Sequence, residues 1–324
     1  MKFDFLSDAE IKRIILEARF VSEKEIYSST YYRKGKTRNI IFKGNFENKK
    51  AILKMWKDPR EVYEPLNLKE FLKNNKSEIL TAPKLYNYKM YDDHSGWLIE
   101  EYIDTSKHIF EGMPKVENRE EFFKVFIEYK KIWPKNPELK IFKDKTVGDW
   151  ALRNISKWKK LAKEKSWLKQ ESYDLCEKAI DVLKKDGNGY KFIWTHGHFK
   201  PKEIFKVNPP TSCGTSADKY YLTDFAHCCW QPEFAEGPFI VWSIIQDARK
   251  IINYDLALKE SLDWKNIFVK NELTDKKGFD LGMLGRSVGT ILADIGGSDI
   301  PLEEKEKLLE IWTKILKYYL DSLK

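Results

Sequence analysis

The stretch that decides the fold reads Thr195-His-Gly-His-Phe-Lys-Pro-Lys-Glu-Ile-Phe-Lys-Val207, and Leu222-Thr-Asp-Phe-Ala226 follows it after a loop. Apolar and β-branched side chains predict three short strands here, over residues 191–195, 204–207 and 220–223. Residues 208–216, which contain two prolines and a glycine, are predicted as a loop. Imidazole, lysine and carboxylate side chains are concentrated in this region, which is therefore the most informative place to look for chemistry.

Upstream of this stretch the pattern favours a sheet. Ser7-Asp-Ala-Glu10 has the form of a capping box, and apolar residues follow it at helical spacing. Three strands are predicted over residues 25–32, 39–43 and 50–56, separated by polar turns that contain glycine. A helix is predicted over residues 60–74, and apolar runs at 84–91 and 96–103 complete a five-stranded antiparallel sheet.

Beyond residue 104 the chain is predicted to be mostly helical. Four apolar stripes recur at helical spacing: Phe122–Phe126–Tyr129–Trp133, Ala151–Ile155–Trp158–Leu161, Leu284–Val288–Ile291–Ile295 and Leu308–Trp312–Ile315–Tyr319. A sheet-rich part followed by a helical part indicates the α+β class. We therefore predict a small lobe over residues 1–103 and a large lobe over residues 104–324.

The composition limits the possible partners and compartments. With 58 basic and 50 acidic side chains among 324 residues the net charge is +8, which mildly favours anionic partners but is also explained by a solvated lysine surface. The first ten residues lack the pattern of a signal peptide, and the longest strongly apolar run, residues 239–245, is too short to span a bilayer. Four cysteines do not make a disulfide framework, so a cytoplasmic protein with reduced thiols and no membrane partner is predicted.

The deciding stretch resembles the catalytic loop of the aminoglycoside phosphotransferase and choline kinase group, which reads H-G-D-x-x-x-x-N. His196 and Gly197 match this motif, and Asp224 falls where the group has its metal-binding aspartate. Two positions depart from it, since His198 stands for the catalytic aspartate and Glu203 for the metal-binding asparagine. The resemblance covers most of the chain and implies a two-lobed, protein-kinase-like fold.

A second match lies on the third predicted strand, where Ala51-Ile-Leu-Lys54 resembles the V-A-I-K segment whose lysine pairs with nucleotide phosphates. Glu64 is the predicted carboxylate partner of Lys54, and Glu61 is an alternative. The turn over residues 33–38, with Gly35, would cover the phosphates. Residues 97–103 resemble the hinge that meets a nucleotide base, and the hinge candidates are Glu100 and Tyr102.

The resemblance implies a kinase that transfers phosphate from ATP or GTP to a small-molecule hydroxyl. His198, Lys200 and His196 are the candidate catalytic residues, with His198 as the base and Lys200 facing the transferred phosphate. Asp224 and Glu203 are the candidate ligands of Mg²⁺. The acceptor cannot be read from the sequence, and a pseudokinase that binds nucleotide or another ligand without chemistry is the alternative.

Two other interpretations compete with a kinase. The zinc-ligand types His196, His198, Cys213, His227, Cys228 and Cys229 occur in one region, but no C-x-x-C pair is among them. Lysines and aromatic residues alternate over residues 158–167, as in some nucleic-acid-binding segments. An amphipathic helix with a lysine-rich solvated face explains that segment more simply, so a nucleic-acid partner is not predicted.

Overall fold

The computed structural model describes residues 5–29, 37–104, 116–139, 142–207, 219–249, 252–298 and 300–324. The chain divides into two compact units. Unit 1 comprises residues 1–140 and 196–228, and unit 2 comprises residues 141–195 and 229–324. Unit 1 therefore contains the sheet-rich segment together with the deciding stretch from His196 onward. The predicted lobe boundary at residues 103 and 104 stays a prediction.

A five-stranded antiparallel sheet forms the larger part of unit 1, as the sequence predicts. The strands follow the order β1-β2-β3-β6-β5. The elements that belong to this part are α1 (Asp8–Glu17), β1 (Val21–Ser28), β2 (Asn39–Phe46), β3 (Lys49–Lys57), α2 (Glu64–Asn74), β4 (Leu80–Thr81), β5 (Leu85–Met90) and β6 (Ser95–Glu101). The predicted capping box at Ser7 is present, with the Ser7 side chain accepting from the Glu10 N–H.

Strand β3 divides its side chains between the two faces of the sheet. Ala51, Leu53 and Met55 are fully buried in the apolar cluster that α1 covers with Ile14. Because successive side chains of a strand point to opposite faces, Lys54 lies on the other face. The alternation of side chains along β3 therefore places Lys54 on the face of the sheet where α2 begins.

Helix α2 begins at Glu64, four residues later than the predicted start at Arg60. Pro65 accounts for the difference, because proline is tolerated in the first turn of a helix and not in its interior. The preceding residues form a turn in which the Glu61 N–H donates to the Asp58 carbonyl oxygen, 3.0 Å away. This turn places Glu61 directly before the helix.

The rest of unit 1 comprises helix α3 (Val116–Ile132) and the strands β8 (Ile204–Val207) and β9 (Lys219–Leu222). The two strands pair antiparallel, with Ile204 opposite Leu222. Strand β4 adds a parallel edge to β9 and was not predicted, since two residues carry no periodicity. The predicted loop at residues 208–216 lies outside the described residues. The pairing of β8 with β9 brings the two halves of the deciding stretch side by side.

Unit 2 is a helical assembly with one short ladder. Its elements are α4 (Val147–Lys165), α5 (Gln170–Asp186), β7 (Phe192–Thr195), β10 (Cys229–Pro232), α6 (Glu236–Asp247), α7 (Tyr254–Lys270), α8 (Lys276–Gly289), a π-helical continuation (Thr290–Ile295) and α9 (Leu302–Ser322). Helix α8 packs against α4, α5, α6, α7 and α9. The predicted helical stripes are confirmed, whereas β10 and helices α5, α6 and α7 were not predicted. Within the described ranges, no helix has the length and apolar character needed to cross a membrane.

The close approach of β1 and β2 gives a stability prediction. A Cβ atom on Gly44 would lie 2.0 Å from the Val21 carbonyl oxygen, so Gly44→Ala must push the backbone of β1 away. We expect a loss of about 1–3 kcal/mol in the free energy of unfolding, measured by urea denaturation. Gly189→Ala is the matched control, because nothing lies within 4 Å of its added Cβ. Equal unfolding midpoints for the two variants would contradict the described packing.

Candidate functional site

The first component of the site is a buried lysine between two glutamates. Lys54 Nζ lies 2.6 Å from Glu61 Oε2 and 2.6 Å from Glu64 Oε2. The Lys54 residue is 7% exposed, and the two glutamates are equally buried. Asn39 Nδ2 donates to the other carboxylate oxygen of Glu61 at 2.6 Å. The sequence named Glu64 as the partner of Lys54 and Glu61 as the alternative, and the structure brings both to the ammonium.

Burial and charge act in opposite directions on this cluster. Burial by itself would lower the pKa of Lys54, but the carboxylates of Glu61, Glu64 and Asp224 outweigh it and hold that pKa well above its usual range. For Glu64, burial raises the pKa well above the ordinary value, and Glu61 adds to this effect while Lys54 opposes it. Lys54 therefore stays protonated, and its charge keeps the pair of buried carboxylates together.

The second component is Asp224, two residues after the end of β9. Its backbone has φ 62° and ψ 58°, in the left-handed region that non-glycine residues seldom adopt. Such strain persists where the surroundings impose it, and it is common at functional sites. Asp224 Oδ1 lies 3.9 Å from Lys54 Nζ, and Oδ2 lies 2.8 Å from His198 Nδ1. One carboxylate thus faces the lysine on one side and an imidazole on the other.

Two stacked imidazole rings form the third component. The ring centroids of His198 and His227 are 3.5 Å apart with an interplanar angle of 25°. His227 Nε2 lies 3.8 Å from Asp224 Oδ2, the oxygen that His198 also contacts. Burial lowers the pKa of both rings, for His198 to well below the usual range. Burial raises the pKa of Asp224, but the two histidines and Lys54 outweigh this and hold it well below its usual range.

Glu203 ends the 3₁₀ turn Pro201–Glu203, directly before β8, and its carboxylate contacts other partners than Asp224. Its Oε1 is 3.0 Å from Lys200 Nζ, and its Oε2 accepts from the Thr223 hydroxyl at 3.2 Å. The Thr223 N–H donates to the Glu203 carbonyl oxygen at 3.0 Å, which continues the β8–β9 pairing beyond Ile204 and Leu222. Among the described residues, Asp224 belongs to two groups of side chains that are close enough to share a metal ion, and Glu203 belongs to neither. Joint ligation by Glu203 and Asp224 stays a prediction.

The remaining catalytic candidate, His196, is fully buried below the loop. Its backbone N–H donates to the Tyr129 hydroxyl at 2.9 Å, and its ring meets Trp133 and Phe225 edge-on. Burial lowers the pKa of His196 to about 3, so the ring is neutral. The left-handed Gly197 (φ 73°) then turns the chain towards His198. These contacts make His196 a packed residue among aromatic side chains, and its catalytic role stays a prediction.

The predicted hinge residues lie at the end of β6. Glu100 is 8% exposed on the same sheet face as Lys54, and burial raises its pKa to about 7. The Tyr102 N–H donates to the Lys50 carbonyl oxygen at 3.2 Å, and the Lys43 ammonium lies 4.0 Å from the Tyr102 ring centroid. Gly35 and its turn lie outside the described residues. Contacts of any of these residues with a nucleotide stay predictions.

His227 is the site residue that the sequence did not single out beyond its ligand type. It lies in the 3₁₀ turn Phe225–His227, three residues after Asp224. Side chains three apart in such a turn lie on the same side, and this spacing is the one signal that could have found it. Among the zinc-type candidates, His198 joins it, whereas neither Cys228 nor Cys229 belongs to a group of possible ligands within the described residues, and Cys213 lies outside them.

Comparisons with known proteins agree with this geometry at the level of fold. No protein-family model and no curated protein sequence matches the chain. Among solved structures, the aminoglycoside phosphotransferase APH(4)-Ia is 10% identical with a TM-score of 0.62, over 96% of this chain and 97% of that chain. A microcompartment-associated aminopropanol kinase is 13% identical with a TM-score of 0.61, over 97% and 98% of the two chains.

A third structure carries ligands. Spectinomycin phosphotransferase APH(9)-Ia, solved with ADP and spectinomycin, is 10% identical with a TM-score of 0.59, over 95% of this chain and 98% of that chain. Identities this low establish the fold alone. The predicted α+β, protein-kinase-like fold of the aminoglycoside phosphotransferase type is confirmed.

Glu100 gives a pH-dependent stability prediction. Its pKa of about 7 in the folded protein lies above the ordinary value of 4.5, so the folded state favours the protonated form. The resulting stability is complete below pH 4.5 and is lost as the pH rises through 7. Glu100→Gln should therefore raise the free energy of unfolding at pH 8 by up to about 3 kcal/mol and change it little at pH 4.5.

Glu101→Gln is the matched control on the next residue, which is only partly buried. Urea denaturation at both pH values measures the difference between the two variants. A Glu100→Gln effect of the same size at pH 4.5 and pH 8 would contradict a buried carboxyl with a raised pKa.

Proposed function

We propose that the protein is a nucleotide-dependent phosphotransferase that acts on the hydroxyl of a small molecule. The observation that supports this most directly is the placement of Lys54 between Glu61 and Glu64, with the Asp224 carboxylate 3.9 Å from the ammonium. On a kinase-like fold, a fixed ammonium beside a carboxylate is the arrangement that binds nucleotide phosphates and their cation. ATP or GTP is the proposed co-substrate.

Lys54 would contact the phosphates, and the two glutamates hold its ammonium in place. Phosphoryl transfer depends mainly on positioning and on neutralising charge, so a buried cation on a rigid strand is more valuable than a mobile surface lysine. Lys200, at the start of the turn Pro201–Glu203, would face the transferred phosphate. Its ion pair with Glu203 orients the side chain until the phosphate arrives.

Asp224 would hold the divalent cation. Mg²⁺ typically binds one or two carboxylates together with phosphate oxygens and water, and the Asp224 oxygen that faces Lys54 fits this role. When bound, the ion would neutralise charge on the phosphates. Glu203 would be a second carboxylate ligand only after leaving Lys200 and Thr223.

His198 would be the base. Its Nδ1 lies 2.8 Å from Asp224 Oδ2, and a carboxylate in that position orients the imidazole and opposes the burial that lowers the pKa of His198. When the Nδ1–H of His198 donates a hydrogen bond to Asp224, the lone pair is on Nε2. Nε2 would then take the proton from the hydroxyl of the acceptor molecule. The motif that the loop resembles has a carboxylate at this position. Here a histidine replaces it, and the Asp224 carboxylate supports that histidine.

Nucleotide binding is the first test. We expect calorimetry to detect ATP or GTP binding that strengthens with Mg²⁺, and Asp224→Asn to remove the Mg²⁺ effect. Lys54→Met combined with Glu64→Gln should weaken binding by at least about 10-fold, which is 1.4 kcal/mol. This pair of changes keeps the net charge of the cluster, and Glu64→Gln alone is its control. Absence of nucleotide binding with and without Mg²⁺ would refute the proposal.

His198 separates an enzyme from a pseudokinase. In an active enzyme His198→Ala should lower turnover by about 10²- to 10⁴-fold, the usual contribution of a positioned base. The pseudokinase alternative is favoured by one observation, that Glu203 is already engaged by Lys200 and Thr223. A pseudokinase should turn over no nucleotide with any of a panel of aminoglycoside, choline-like and sugar acceptors. Turnover should then appear only after His198→Asp is combined with Glu203→Asn.

A further inference from the structure

Three possible metal ligands converge beside the proposed phosphate site. His198, Asp224 and His227 each offer one ligand atom, and these three atoms lie within 4.8 Å of one another. Their side chains are 21–24% exposed, so they are sheltered but reachable from solvent. Two imidazole nitrogens and one carboxylate oxygen are a donor set typical of transition-metal sites and unlike the all-oxygen sites of Mg²⁺.

The two rings have one carboxylate oxygen of Asp224 as a common contact. Their centroids are 3.5 Å apart with an interplanar angle of 25°. An imidazole nitrogen binds a metal along the lone pair in the plane of its ring, so the two rings must turn relative to each other to share an ion. Both nitrogens also approach a single carboxylate oxygen, at 2.8 Å from His198 and 3.8 Å from His227. Ring stacking by itself does not require the two nitrogens to meet at one oxygen.

The spacing of the three atoms agrees with tetrahedral coordination. Zinc binds nitrogen and carboxylate oxygen at about 2.0–2.2 Å, and two ligands at the tetrahedral angle are then about 3.3–3.5 Å apart. The observed contacts of 2.8 Å and 3.8 Å lie on either side of that value. Shifts of about half an ångström, together with a rotation of the two partly exposed rings, would bring both nitrogens to face one ion.

The backbone that carries the three ligands is held in place. His198 follows the left-handed Gly197, and Asp224 is fixed by the hydrogen bond from the Thr223 N–H to Glu203. The 3₁₀ turn that carries His227 is anchored to α2, because Asn67 Nδ2 donates to the Phe225 carbonyl oxygen at 3.1 Å. A preorganised set of ligands loses little conformational entropy when an ion binds.

We propose that His198, Asp224 and His227 form a binding site for a divalent transition-metal ion of the zinc type. Three protein ligands leave a fourth, open position, as in catalytic zinc sites. His198 would bind through Nδ1, so its proton moves to Nε2 and the imidazole stays neutral. No proton or electron is exchanged with another reactant in this step.

The site shares His198 and Asp224 with the proposed phosphotransfer. An ion on His198 Nδ1 leaves Nε2 protonated and so removes the proposed base. Zn²⁺ should therefore inhibit phosphotransfer, a consequence that rests on the proposed function. The metal site itself does not rest on it, because ion binding is measured without nucleotide or acceptor.

The test is a titration of the chelator-treated protein with Co²⁺, followed by visible absorption, and then displacement of Co²⁺ by Zn²⁺. We expect one equivalent of Co²⁺ to produce the intense visible bands of a four-coordinate site and Zn²⁺ to abolish them. His227→Ala should lower the affinity at least about 100-fold, more than the usual effect of a residue that only supports a ligand. Mg²⁺ at millimolar concentration should not compete.

His94→Ala is the matched control. His94 lies with Asp92 and Asp93 in a group of possible ligands that is fully exposed at the surface. This variant should leave the Co²⁺ spectrum and stoichiometry unchanged. His198→Asn, measured beside His227→Ala with thermal unfolding as a check on folding, repeats the test at a second ligand. Absence of Co²⁺ binding, or the same affinity in wild type and both folded variants, would overturn the site. Metal binding without any nucleotide binding would refute the proposed function and leave the site standing.

Discussion

The site depends on the positive charge of Lys54. Two glutamates and an aspartate lie around this ammonium in a poorly hydrated position, where carboxylates without a counter-ion repel one another and are costly to bury. Lys54 therefore joins β3 to the start of α2 and draws Asp224 towards the sheet. The geometry of strand, helix and loop at this point follows from one electrostatic requirement.

Asp224 is where two kinds of chemistry meet. One of its oxygens faces an ammonium suited to phosphate, and the other faces two imidazoles suited to a transition-metal ion. Its left-handed backbone costs on the order of 1–3 kcal/mol, and the contacts on both sides of the carboxylate hold it there. The same carboxylate would take part in both the phosphate site and the transition-metal site, and it cannot fill both roles fully at once. The two proposals are therefore physically linked.

The histidine at position 198 changes what the site needs in order to be stable. Two carboxylates facing each other here would require a cation between them or a proton on one of them. An imidazole at hydrogen-bond distance satisfies Asp224 without any ion. Glu203 is satisfied in the same way by Lys200 and Thr223. The two departures from the motif that the loop resembles thus leave Asp224 and Glu203 paired with side chains of this chain.

The sequence by itself determined the sheet of unit 1, the main helical stripes and the pairing of Lys54 with Glu64, because these follow from local periodicity and from motifs with fixed spacing. It placed the start of α2 too early and did not predict β4, β10 or three helices of unit 2, where periodicity is short or uniform burial hides it. Only the tertiary structure decided that Glu61 joins Glu64 and that His227 stacks on His198. Those contacts depend on the turn before α2 and on the left-handed backbone at Asp224, which the periodicity of the sequence does not specify.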